Sequence, residues 1–141
     1  MKSSIGILSV ATVAVVLAAP LAAQTIKVTA DVPFDFMVAG RAFPAGDYRV
    51  SADPAAMSGV RVWGGNAGVL ALAQHTTSSP KERTGQALLI FHRYGEQYFL
   101  SRIVDGYLDT GVEIPTSRTE KELSRTASLE KFEMVAVLAR R

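Results

Sequence analysis

The sequence predicts an all-β fold: an antiparallel sandwich or small barrel of about seven to nine short strands, with one short polar helix near the C-terminus. Three observations predict it. Apolar and polar residues alternate with period two along several short runs. Turn residues recur at intervals of roughly 8 to 12 positions. Only one stretch carries a convincing helix start.

From Thr25 the chain places Ile26, Val28, Ala30 and Val32 on one side and Lys27, Thr29 and Asp31 on the other, a half-buried strand. Pro33 to Val38 reads as a second strand, with Phe34, Phe36 and Val38 on one face, stopped by Ala39-Gly40. Phe43-Pro44-Ala45-Gly46 is a turn leading into a strand with Tyr48 and Val50 inward. After a loop at Asp53-Pro54, Val60 to Trp63 and Val69 to Gln74 form two strands around Gly64-Gly65-Asn66. Thr76 to Gly85 has no apolar period and is expected to be a surface loop.

Ala87 to Phe91 is apolar on both faces, the composition of a central strand covered on both sides. Gly95, in Tyr94-Gly95-Glu96-Gln97, is the residue that a type II′ turn requires at its first central position, so Tyr98 to Val104 returns as the partner strand. Ser117-Arg118-Thr119-Glu120 is a capping box, in which the serine oxygen accepts from the Glu120 amide and the glutamate reaches back to the serine amide. The polar helix that follows, to about Arg125, covers a surface and does not fill a core. Phe132 to Leu138 is open between helix and closing strand. Val135 and Val137 favour the strand. Arg140-Arg141 is expected to be a frayed, solvated tail.

The chain has 141 residues, a formal charge of +2 and no cysteine. Its first 23 residues contain 16 apolar ones, which leaves 52 among the other 118, an ordinary globular fraction. Lys2, an apolar run from Ile5 to Ala19 and the small residues before Gln24 form the three parts of a secretory signal. Residues 1–23 are thus expected to be a signal peptide and 24–141 one β-rich domain, placed in the periplasm or outside the cell. Cleavage between Ala23 and Gln24 keeps Pro20 away from the scissile bond. The apolar run, ended by that proline, falls short of the roughly 20 residues a spanning helix needs, so no stable membrane span remains after cleavage. Several strands are also too short for a transmembrane barrel, whose strands run to about 9 to 11 residues. Without cysteine there is no disulfide, thiol nucleophile or thiolate metal site. Basic and acidic residues are near balance and interspersed, so nothing steers the chain to nucleic acid.

Pro33-Phe34-Asp35-Phe36, Ala39-Gly40 and Pro44 to Val50, then Phe91-His92-Arg93-Tyr94-Gly95 and Tyr98-Phe99-Leu100-Ser101, resemble uncharacterised small exported proteins of acidobacterial type. The resemblance implies export and a single β-rich domain. It carries over no catalytic or binding residue.

Candidate site residues gather on the hairpin around Gly95. Strict alternation puts His92 diagonal to Ser101 on one face, the arrangement of a hydrolase's nucleophile pair, though no nucleophile elbow or orienting acid accompanies it. The same alternation puts Arg93, Tyr98 and Arg102 together on the other face, where an arginine fork beside an aromatic ring suits an anionic ligand or simply lies over the sheet. His75 and His92 are seventeen apart, unlike any usual metal spacing, and no metal or cofactor is expected. The sequence thus predicts a non-catalytic exported binding or envelope-associated module, whose partner is a protein, a glycan or a small apolar ligand. Two alternatives are a carrier holding an apolar ligand in its interior and a hydrolase with a cleft near His92. Bulky inward residues such as Phe34, Phe36, Phe91 and Phe99 weigh against a carrier.

One expectation follows from the N-terminus alone. The exported protein should begin at Gln24, as read by intact mass and N-terminal sequencing, and a membrane-bound chain retaining Met1 to Ala23 would contradict the assignment.

Overall fold

The computed structural model describes residues 25–52, 59–107, 110–126 and 133–141. The signal segment with Ala23 and Gln24, the Asp53-Pro54 loop and Asp109 lie outside them. The fold is an all-β sandwich, and the sheets do not close into a barrel.

The first sheet runs in the order β1 (Ile26–Val32), β4 (Gly46–Ala52), β5 (Val60–Gly64), β6 (Ala67–Ala71). The second runs β11 (Glu133–Ala139), β8 (Ala87–Tyr94), β9 (Gln97–Val104), β10 (Thr110–Glu113), β7 (Gln74–Thr77). The hairpin of β2 (Phe36–Val38) and β3 (Arg41–Phe43) joins the second sheet where Met37 meets Phe99, a parallel contact. The first sheet alternates as the sequence predicts. Ile26, Val28, Ala30 and Val32 are buried, as are Tyr48 and Val50, and Val60 and Val62. They face Leu89, Phe91, Leu100 and Ile103 of the second sheet in one core. Its centre is aromatic: Phe36 lies 5.0 Å from Tyr48, 5.5 Å from Phe43 and 5.4 Å from Phe91 between ring centroids.

Three strands are additional to those read from the sequence. β3, β7 and β10 have three or four residues each, and the pairing of β7 with β10 turns Thr76 and Thr77 from loop into sheet. Such pieces carry too few side chains for a period to show, so partner strands decide them. The doubtful C-terminal segment is the strand β11, paired with β8 from Glu133↔Arg93 to Ala139↔Ala87.

The C-terminal arginines are not a frayed tail. Arg140 exchanges two backbone hydrogen bonds with Thr29, 2.6 and 2.7 Å, and this bridge stitches β1 of the first sheet to the end of β11 in the second. Arg141 pairs with the buried carboxylate of Asp105 and lies 5.0 Å over the Tyr107 ring. The physical reason is that Asp105 is buried at 3% exposure and needs a counter-charge, which outweighs the entropy of ordering one terminal side chain.

Two glycines test this account. Gly95 has φ 62° and open space around it, so Gly95→Ala meets backbone strain alone and should lose roughly 1 kcal/mol. Gly106 has φ 85°, and a Cβ there would sit 1.8 Å from the Gln86 carbonyl oxygen. Gly106→Ala should therefore destabilise the fold several-fold more than Gly95→Ala in denaturant unfolding; equal losses would contradict the packing described at that corner.

Candidate functional site

Strand β8 is buried on both faces, as its composition predicts. Its inward face is Leu89 and Phe91, while Leu88 and Ile90 join Val104 in a second, outer cluster. The outer side is covered by the loop between β7 and β8 and by α1 (Arg118–Thr126), and polar ties hold both covers.

The first tie is Glu120. Ser117 Oγ accepts from the Glu120 amide at 3.2 Å, which is the forward half of the capping box. The return half is replaced. Instead of reaching back to the serine amide, Glu120 Oε1 accepts from His92 Nδ1 at 2.7 Å and from the Tyr94 hydroxyl at 3.2 Å. A carboxylate 5% exposed gains more from two side-chain donors in this partly dry position than from one amide that water can reach. The ionised carboxylate accepts only, so Nδ1 carries the hydrogen. Burial, with the Glu120 charge and hydrogen bond adding to it, pushes the Tyr94 phenol up to about 12.

The second tie is Arg102. Its guanidinium meets Glu82 at 2.8 and 3.3 Å and the Thr77 carbonyl at 3.1 Å, while Glu82 in turn accepts from the Ser79 amide at 2.6 Å. Arg102 Nε and the Ser78 hydroxyl are buried without a partner among the described residues.

The face assignment made for the hairpin changes beyond Leu100. Tyr94↔Gln97 and His92↔Phe99 pair as predicted, but Phe91↔Leu100 is followed by Ile90↔Arg102, which leaves Ser101 as an extra residue. One extra residue reverses every later side chain. Ile103 thus packs inward against Leu89, whereas Arg102 takes the outer side with Ile90 and His92. The cause is visible in the residues: strict alternation would drive Arg102 into the core between Leu100 and Val104. Arg102 consequently parts from Arg93 and Tyr98. Those two remain neighbours, with Arg93 5.4 Å over the Tyr98 ring, held by the Gly95 carbonyl and Glu133, while Tyr98 stacks on Phe34 at 3.8 Å. His75 sits on β7, with β9 and β10 between it and the strand that carries His92, and no cluster of three metal-ligating side chains occurs among the described residues.

Elsewhere, an open groove of about 350 Å³ lies on the outer side of the first sheet, lined by Thr29, Asp47, Tyr48, Arg49, Trp63, Gly64 and Gly65. Thr29, Arg49, Trp63 and Gly68 stand in one row across β1, β4, β5 and β6. Gly64, which also lines the groove, packs closely on Tyr48, since a Cβ there would come within 2.6 Å of the ring. Sequence reasoning did not single out this group. The signal was present: with Val60 and Val62 inward, the same alternation puts Arg61 and the chain's only tryptophan on the polar face.

No protein-family model, curated protein or solved structure matches the chain.

The Glu120 tie makes its own test. Glu120→Ala leaves two donors without their acceptor and should cost about 1 to 3 kcal/mol, with amide exchange rising first in residues 118–126. The Tyr94 phenol keeps its proton in the fold above the pH at which the unfolded chain releases it, near 10. Stability should therefore fall as pH rises from about 10 to 12, and Tyr94→Phe should show a shallower fall. An identical alkaline profile would remove Tyr94 from the tie.

Proposed function

We propose that the protein is a non-catalytic binding module of the cell envelope, exported by its N-terminal segment and acting through its outer surface. The observation that carries the reading is how the interior is used. Phe34, Phe36, Phe43, Tyr48 and Phe91 pack ring against ring between the sheets, which leaves a small apolar cargo no place at the centre. An open concavity among the described residues lies outside, on the first sheet.

The polar residues of the hairpin support the same reading. His92 is spent on tying α1 to β8, Arg102 on holding the β7–β8 loop, and Arg93 on Glu133 and the Tyr98 ring. Each is oriented by a structural partner, and that is the arrangement of a rigid scaffold whose surfaces do the recognising. The secretory pattern at residues 1–23 and the resemblance to small exported proteins of acidobacterial type favour the envelope as the place of action.

The test is co-sedimentation. The full chain, recovered from the cells that make it, is mixed with washed envelope fragments of those cells and pelleted. Saturable pelleting is expected; a protein that stays in the supernatant at every envelope concentration would refute the module. A hydrolase signal lost in His92→Gln alone would overturn the non-catalytic part.

A further inference from the structure

We propose that the groove on the outer side of the first sheet binds an uncharged saccharide chain, with Trp63 as the stacking surface and Asp47, Arg49 and Thr29 as partners for sugar hydroxyls. The proposal rests on the binding-module reading and names its ligand class.

Four observations converge on that class. The groove is open, about 350 Å³, and runs along a row of side chains on a sheet, a shape that admits a segment of a chain and does not enclose a small molecule. Trp63 is the only tryptophan and stands half-buried on the polar face, where its ring fills no core. A flat apolar ring with an N–H at its edge matches the apolar face of a pyranose, whose ring hydrogens lie against it while its hydroxyls point to the rim. Gly64 and Gly65 beside it, and Gly68 across from it on β6, keep bulky side chains from crowding the indole.

The charges then select among polar ligands. The groove lining holds one carboxylate, Asp47, and one guanidinium, Arg49. Neither makes a hydrogen bond or ion pair among the described residues, so both keep their bonding capacity for a ligand. An acceptor-only carboxylate next to a donor-only guanidinium suits a hydroxyl group, which donates and accepts at once. A phosphate or carboxylate ligand would face Asp47 and also Asp31, which stands directly opposite Asp47 on β1. A polyamine would face Arg49, with Lys27 and Arg61 on the same side of the sheet. Arg41, whose guanidinium donates to the Gly68 carbonyl at 3.0 Å, keeps its positive charge at that end of the row and adds to what a polyamine would face.

The experiment uses chitohexaose and cellohexaose as uncharged probes, with inorganic phosphate and spermidine as the charged ones. The single tryptophan makes Trp63 fluorescence a local reporter for the wild-type chain, and calorimetry follows the variants. A saturable response to at least one hexasaccharide is expected, weakened about tenfold or more by Trp63→Ala and by Arg49→Ala. Arg49 is exposed, so Arg49→Ala should keep the wild-type thermal midpoint and decides the matter if Trp63→Ala does not fold. No saturable response to either hexasaccharide, an equal response to phosphate or spermidine, or binding undiminished in both variants would overturn the proposal. Envelope pelleting that persists without saccharide binding defeats the saccharide assignment and leaves the module standing. Saccharide binding without envelope pelleting does the reverse.

Discussion

Burying strand β8 on both faces is the constraint that organises the molecule. Leu89 and Phe91 complete the core between the sheets, and Leu88 and Ile90 on the other side then need a second cover. Among the described residues no third sheet supplies it. A loop and a nine-residue helix do, and neither has enough apolar surface to stay in place by burial: the helix carries Leu123 as its single aliphatic side chain. Polar ties through Glu82 and Glu120 take over that role. Glu120 is therefore buried, though it belongs to a strongly polar helix, and the most polar stretch of the chain holds part of the sandwich together.

Much of this was legible in the residues, and the boundary of what was legible is physical. The period-two runs of β1 and β4, the two-faced apolar character of β8 and the glycine turn at Gly95 are local features, so sequence determined them correctly. The bulge at Ser101 is a compromise between register and the exclusion of Arg102 from the core, and it becomes necessary only once β8 is placed beside β9. Glu120 shows the same limit. A capping box is a local pattern, but which donor wins the carboxylate depends on His92 and Tyr94, more than twenty residues away. Trp63 is legible as facing outward, but the groove it lines exists only once β1, β4 and β5 lie side by side, which no local pattern shows.

The two sheets divide the labour. In the second, nearly every polar side chain on the covered face is engaged with another part of the chain, and this gives stiffness. Among the described residues nothing covers the outer face of the first sheet, and its row of Thr29, Arg49 and Trp63 is supported from below by the aromatic cluster around Phe36 and Tyr48. Tyr48 spans the two roles. Its ring packs with Phe36 and Phe43, its hydroxyl donates to the Pro44 carbonyl at 2.6 Å, and its edge lies against Gly64, which lines the groove.

The seam between Thr29 and Arg140 sets an order of events in the making of the protein. It joins β1 to the end of β11, so a loop of more than a hundred residues must close before the two sheets are stitched together. Contacts of such long sequence separation form late and slowly. A growing chain on the ribosome holds β1 and β4 well before β11 has been synthesised, and during that interval the sandwich lacks the strand that completes one side of β8. The nascent chain thus stays open until β11 has emerged, which leaves a window for chaperones to act on it before the fold locks.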